Sequence, residues 1–98
     1  MTRSEAVAKM NEAQAWLPGK RVKLAFDDGA IMLDGQAGQA TEEDGPADTT
    51  LKASSDDWKA MFDGSLDGMT AFMQGKLKVE GDMSNAMQLQ GVFAKLRS

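Results

Sequence analysis

Apolar residues recur at spacings of three and four over the first stretch of the chain, at Ala6, Val7, Met10, Ala13 and Leu17, which predicts an amphipathic helix. Ser4 is placed to cap it and Pro18-Gly19 to stop it. The period then drops to two. Val22, Leu24 and Phe26 alternate with Arg21, Lys23 and Ala25, the pattern of a strand with one buried face. Asp28-Gly29 suits the positive φ angles of a tight hairpin turn, and a return strand follows over residues 30–34 with Ile31 and Leu33 on one face. A weak third strand spans residues 36–41; its glycine and small side chains suit a sheet edge.

The second half alternates short elements. Residues 41–46, Thr-Glu-Glu-Asp-Gly-Pro, read as a solvated connection, because the oxygen spacing of a calcium loop is missing. A strand over residues 47–53 puts Thr49 and Leu51 on one side. Ser54 or Ser55 then caps a short helix, with Asp56 and Asp57 at its positive end and Trp58, Met61 and Phe62 on one face. Gly64 ends that helix. A second one begins near Leu66, offers Met69, Phe72 and Met73 together, and stops at Gly75. Leu77 and Val79 alternate with Lys76, Lys78 and Glu80 as a last strand, which Gly81 breaks. The final helix starts near Asp82 or Ser84. Its apolar positions, Met83, Ala86, Met87, Leu89, Val92, Phe93, Ala94 and Leu96, cover more of the circumference than one core-facing stripe needs. Gly91 in its middle costs about 1 kcal/mol relative to alanine, which implies close packing, a bend or a mobile segment. The order of elements predicts an α+β fold, one sheet with helices on one face. The strand–helices–strand unit over residues 47–80 is expected to be a right-handed parallel crossover.

Composition narrows the function. With 98 residues there is room for one domain, taken as 1–98. Cysteine and histidine are both absent, which removes disulfides, thiolate chemistry, the commonest general base and the commonest metal ligand. Fifteen acidic residues against eleven basic ones argue against a nucleic-acid partner. Eight methionines, double the number of phenylalanines, fit either a methionine-tolerant core or an adaptable apolar binding surface. No signal-peptide pattern, membrane span or peroxisomal terminal tripeptide is visible, so a cytoplasmic protein is the expectation.

No catalytic constellation can be assembled. Ser54, Ser55 and Lys59 sit at a helix start, where capping accounts for the serines. The pairs Asp27-Asp28 and Asp56-Asp57 are explained by a turn and by a helix dipole. Gly75-Lys76 is followed by Leu77, so there is no phosphate loop. Neither an enzyme nor a cofactor is expected. What remains is the apolar set of the second half, able to form a solid core or to line a tunnel between sheet and helices.

The stretch Asp67-Gly68-Met69-Thr70-Ala71-Phe72-Met73-Gln74-Gly75-Lys76-Leu77-Lys78-Val79-Glu80-Gly81-Asp82-Met83, with Ala86-Met87-Gln88-Leu89-Gln90 after it, closely resembles the signature of the sterol carrier protein type-2 family. Residues 47–51 and 54–62 also look like that family's strand and following helix, so the resemblance is strong over about residues 47–96. It implies a five-stranded, mostly antiparallel mixed sheet, helices covering one face, and an apolar tunnel between them. It further implies binding of fatty acid, fatty acyl-CoA, sterol or phospholipid and transfer between membranes through transient contact, without covalent chemistry. The tunnel walls it implies are Trp58, Met61, Phe62, Leu66, Met69, Phe72, Met73, Met83, Met87 and Phe93, with Gln90 either a headgroup partner or a surface amide. Burying about 16 methylenes is worth at most about 13 kcal/mol, less several for immobilisation and headgroup desolvation, so such a site selects loosely. Two departures stand out: residues 35–45 are poor in large apolar side chains, and no basic extension follows Leu96. The competing reading is a module whose apolar helix face binds a partner or a second copy.

Overall fold

The computed structural model describes residues 2–97, with side chains described for residues 2–89, 91 and 92. The first helix, α1 (Arg3–Ala13), begins two residues earlier than Ser4 would place it. Thr2 caps it: its hydroxyl accepts from the Glu5 N–H at 3.2 Å while the Glu5 carboxylate accepts from the Thr2 N–H at 3.1 Å. It also ends before Pro18-Gly19. Gln14 turns left-handed at φ 53°, and the chain leaves the helix to lay Ala15 and Leu17 into the core from a loop.

The hairpin β1 (Arg21–Phe26) and β2 (Gly29–Asp34) is joined by Asp27-Asp28, one residue earlier than expected, and neither Asp28 nor Gly29 has a positive φ. Gly29 lies under the end of a long side chain instead. A Cβ there would stand 2.7 Å from the Arg3 guanidinium, which reaches across to Asp28 and Glu42. The third strand, β3 (Gln39–Thr41), shrinks to three residues because Asp34 holds the preceding turn, accepting from the N–H groups of Gln36 and Ala37. Its edge is closed by α1: the Asn11 side-chain amide donates to the Ala40 carbonyl at 2.9 Å and accepts from the Ala40 N–H at 2.8 Å.

From that edge the chain crosses to β4 (Thr49–Lys52), parallel to β1. The acidic connection is tied down on the way: Arg21 pairs with Glu43 at 2.8 Å and Lys23 with Asp44 at 2.9 Å. Both cations project from the face opposite Val22 and Leu24. Met32, in register between Lys23 and Thr41, has no exposure, so part of this second face is covered too.

Helices α2 (Ser55–Asp63) and α3 (Gly68–Met73) lead to β5 (Lys78–Gly81), and α4 (Met83–Arg97) closes the fold. The sheet order is β3-β2-β1-β4-β5. Contrary to the expected parallel crossover, β5 pairs antiparallel with β4, Lys52 opposite Lys78. Gly64, left-handed at φ 89°, splits the connection into two helices, so the chain returns to the end of the sheet it left. The parallel pair is β1–β4 instead. The architecture is thus α+β, a five-stranded mixed sheet with four helices.

Candidate functional site

Three helices frame the far half of the sheet, and local chemistry sets each of them. Ser54 caps α2 by accepting from the Asp57 N–H at 3.1 Å. This aims Trp58 and Met61 inward. The Trp58 indole N–H donates to the Ala25 carbonyl at 2.8 Å, and its ring packs 5.7 Å from Phe62 and 5.4 Å from Phe26. Asp67 caps α3, accepting from the N–H groups of Met69 and Thr70. The first turn of α4 is pinned by buried polar groups: the Asn85 amide donates to the Thr49 hydroxyl at 3.1 Å, which donates to the Asp82 carbonyl at 2.9 Å. That anchor turns Ala86 and Leu89 toward the sheet and leaves Met83 and Met87 facing out. The wide apolar coverage of this helix therefore serves two purposes, one side packing and the other exposed.

Between these elements lies a cavity of about 220 Å³. Trp58, Met61, Leu51, Leu77, Ala86 and Leu89 form its buried inner wall; Val79 and Gly68 complete the sides. Met69, Phe72, Met83 and Met87 line it as well but are exposed, so they mark its mouth. Among the described residues, no polar or ionisable side chain lines it. None of the described lining residues titrates or is a nucleophile. Among the described residues no cluster of acidic, histidine or cysteine side chains could hold a metal.

Six of the residues named from the sequence line this cavity: Trp58, Met61, Met69, Phe72, Met83 and Met87. Three do not. Phe62 stacks on the far side of Trp58 and faces a separate, polar cleft with Arg3, Asp28, Glu42 and Lys59. Leu66 is half-buried against the core, and Met73 is 79% exposed outside the lining. Gln90 and Phe93 lie outside the residues whose side chains are described. Leu51, Leu77, Val79, Ala86 and Leu89 were missing from the sequence-derived set. Their signal was present, as strand alternation and helical periodicity, but those patterns report burial and not which buried residue borders a space.

An α+β sheet whose helices leave an open-mouthed hollow on one face, apolar at every described lining residue, defines the class of small hydrophobic-cavity proteins. The profile of the SCP-2 sterol transfer family matches residues 3–94, and the chain belongs to that family. It is 38% identical over 70 residues to hydroxysteroid dehydrogenase-like protein 2 of Danio rerio, covering 69% of this chain and 17% of that protein. It is 39% identical over 61 residues to sterol carrier protein 2 of Gallus gallus, covering 62% of this chain and 11% of the relative. The chain thus spans only 11–17% of the length of these curated relatives. In fold it is similar to the solution structure of sterol carrier protein 2 from Aedes aegypti in complex with C16 fatty acid (palmitate), at a TM-score of 0.76 and 20% identity, covering 96% of this chain and 97% of that one.

Proposed function

We propose that this chain is a non-enzymatic lipid carrier that shelters a hydrocarbon chain in the α2–α3–α4 cavity and moves it through water between membranes. The observation that carries the reading is the lining itself, apolar at every described residue and ringed at its mouth by flexible methionine side chains. Membership of the SCP-2 sterol transfer family supports it, as does the palmitate held by the Aedes aegypti relative. Binding draws on burial of about 0.8 kcal/mol per methylene, with no bond made or broken. Trp58, Met61, Met69, Phe72, Met83 and Met87 are the proposed ligand contacts, and the exposed mouth residues are the proposed point of transient membrane contact. Among the described residues no helix is long and apolar enough to cross a membrane. The proposal sets the carrier at work in the cytoplasm, without a cofactor.

The test is extraction and native mass spectrometry of the purified chain, joined to titration with a fluorescent fatty acid. Trp58 lines the cavity and Trp16 does not, so a Trp16→Phe background isolates the relevant emission. A co-purified acyl lipid, or saturable uptake with a change in Trp58 emission, is the expected result. A bare chain that takes up no fatty acid would overturn the reading.

A further inference from the structure

We infer that the cavity mouth docks on a lipid surface of no net charge, by shallow apolar insertion with Met73 as the leading contact, and without a cationic collar. The inference rests on the carrier reading and sharpens its membrane partner. Among the described residues the large hydrophobic side chains left exposed are Met69, Phe72 and Met73 on α3 and Met83 and Met87 on α4. All of them stand on two of the helices that frame the cavity, and all but Met73 line it. On α3 the spacing of Met69, Phe72 and Met73 puts them on one side, while Ala71 turns into the core. Met73 therefore extends the apolar mouth outward without serving the cavity itself. A grouped apolar surface of this kind marks a place where another apolar phase is met.

Charge decides which phase. A surface built for anionic lipid carries lysine and arginine around its apolar centre. Here the described basic side chains of the neighbouring elements are turned away. Leu77 and Val79 line the cavity, so the alternation of β5 sends Lys78 to the opposite face of the sheet, where it shares a cleft with Lys52 and Lys76. Lys59 faces the polar cleft beside Phe62. Lys95 and Arg97 follow Met87 only after about 12 and 15 Å of α4. What stands beside the mouth is acidic. Asp67 accepts from the N–H groups of Met69 and Thr70 at the start of α3, and Asp82 accepts from the Ser84 N–H at 2.9 Å at the start of α4. Each of these exposed carboxylates is fixed by its helix end next to a mouth methionine, Met69 or Met83. An anionic bilayer repels them and the chain's net charge of -4, whereas a zwitterionic bilayer, with its ammonium groups outermost, does not. A second copy would set the same carboxylates against one another.

The experiment measures transfer of a fluorescent fatty acid from the loaded chain to vesicles of phosphatidylcholine alone, and to vesicles with added phosphatidylserine, each at low and high salt. Transfer to the neutral vesicles is expected to rise with vesicle concentration and to change less than about twofold with salt; transfer to the anionic vesicles is expected to be slower at low salt and to recover as salt screens the repulsion. Met73→Gln is expected to slow transfer to neutral vesicles about fivefold while fatty-acid affinity stays unchanged, and Lys78→Gln to change the rate less than about twofold. Faster transfer to anionic than to neutral vesicles at low salt overturns the inference. So does a rate independent of vesicle concentration, or a folded Met73→Gln chain that transfers at the original rate. A dimer in sedimentation that Met73→Gln dissolves gives the patch to a second copy and also overturns it. Each of these leaves the carrier reading standing, whereas a chain that loads no fatty acid overturns that reading and this inference with it.

Discussion

α1 lays Ala6 and Met10 into the core against the sheet, whereas α2, α3 and α4 stand around a hollow. The two regions share one sheet and the same kinds of residue, so composition does not separate them. Methionine shows this best. Met10, beneath α1, is 1% exposed and fills space, whereas Met83 and Met87 on α4 are 44% and 59% exposed at the mouth of the cavity. The difference lies in how each helix is held. Asn11 bonds both backbone groups of Ala40, which draws α1 flush against the sheet edge. On the other side α3 is only six residues long and sends Ala71 into the core while Phe72 stays exposed. The lesson is that apolar content alone does not decide which region is solid.

Four measurements would break or sharpen that contrast. The largest effect is expected from Gly35→Ala, at the end of β2 on the solid side. A Cβ there would overlap the Leu17 carbonyl oxygen, which is backbone and cannot step aside. Loss of about 3 kcal/mol or more is expected in denaturant unfolding, and a near-neutral result would show that this region is looser than it looks. Next comes Met10→Ala, expected to cost about 2–5 kcal/mol, against Met87→Ala, expected to stay within about 0.5 kcal/mol while weakening fatty-acid binding. Equal losses at the two positions would erase the distinction between filler and mouth.

Gly91→Ala should go the other way. Glycine at this position of α4 is exposed, and among the described residues no atom lies within 4 Å of an added Cβ. Alanine is expected to raise stability by about 0.5–1 kcal/mol. If lipid exchange slows at the same time, the glycine loosens the helix beside the cavity; an unchanged exchange rate would confine its effect to stability. The smallest effect is acid sensitivity. Hydrogen bonds from the Thr2 backbone and hydroxyl hold the Glu5 carboxyl below its ordinary 4.5, and those from Ser65 hold Asp63 below 3.8. A carboxylate with a lowered value stabilises the fold at higher pH and loses that contribution as pH falls through the lowered value. Fraying of α1 should therefore begin only below pH 4.5, and the α2 end should follow below pH 3.8, read by carboxyl titration in NMR. Glu5→Gln should abolish the first step and leave the second.

Much of the fold could be read from alternation. Val22 with Leu24, Ile31 with Leu33, and Leu51 each announced a strand face, because a period of two has one meaning on a half-buried sheet. The caps at Ser54 and the stop at Gly64 were equally local. Errors arose where a distant partner decides. Gly29 looked like a turn residue and instead opens β2, beneath the guanidinium of Arg3, twenty-six positions away in the chain. The 47–80 unit looked like a parallel crossover, but its two helices return the chain to its starting end and β5 pairs antiparallel with β4. Met32, on the face opposite Ile31 and Leu33, drew no reading from the sequence and is buried there. Asn85 carried no pattern at all, since a lone amide in a helix reads as surface until a buried hydroxyl is found beside it.

What the chain alone determined is which residues are apolar, at what period they recur and where the backbone turns, for these follow from neighbours in sequence. Whether Trp58, Met61 and Leu89 would close on one another or border an empty space was decided only by the tertiary structure. A cavity is a small difference between the distance that anchored backbones impose and the reach of the side chains between them, and no single residue encodes that difference.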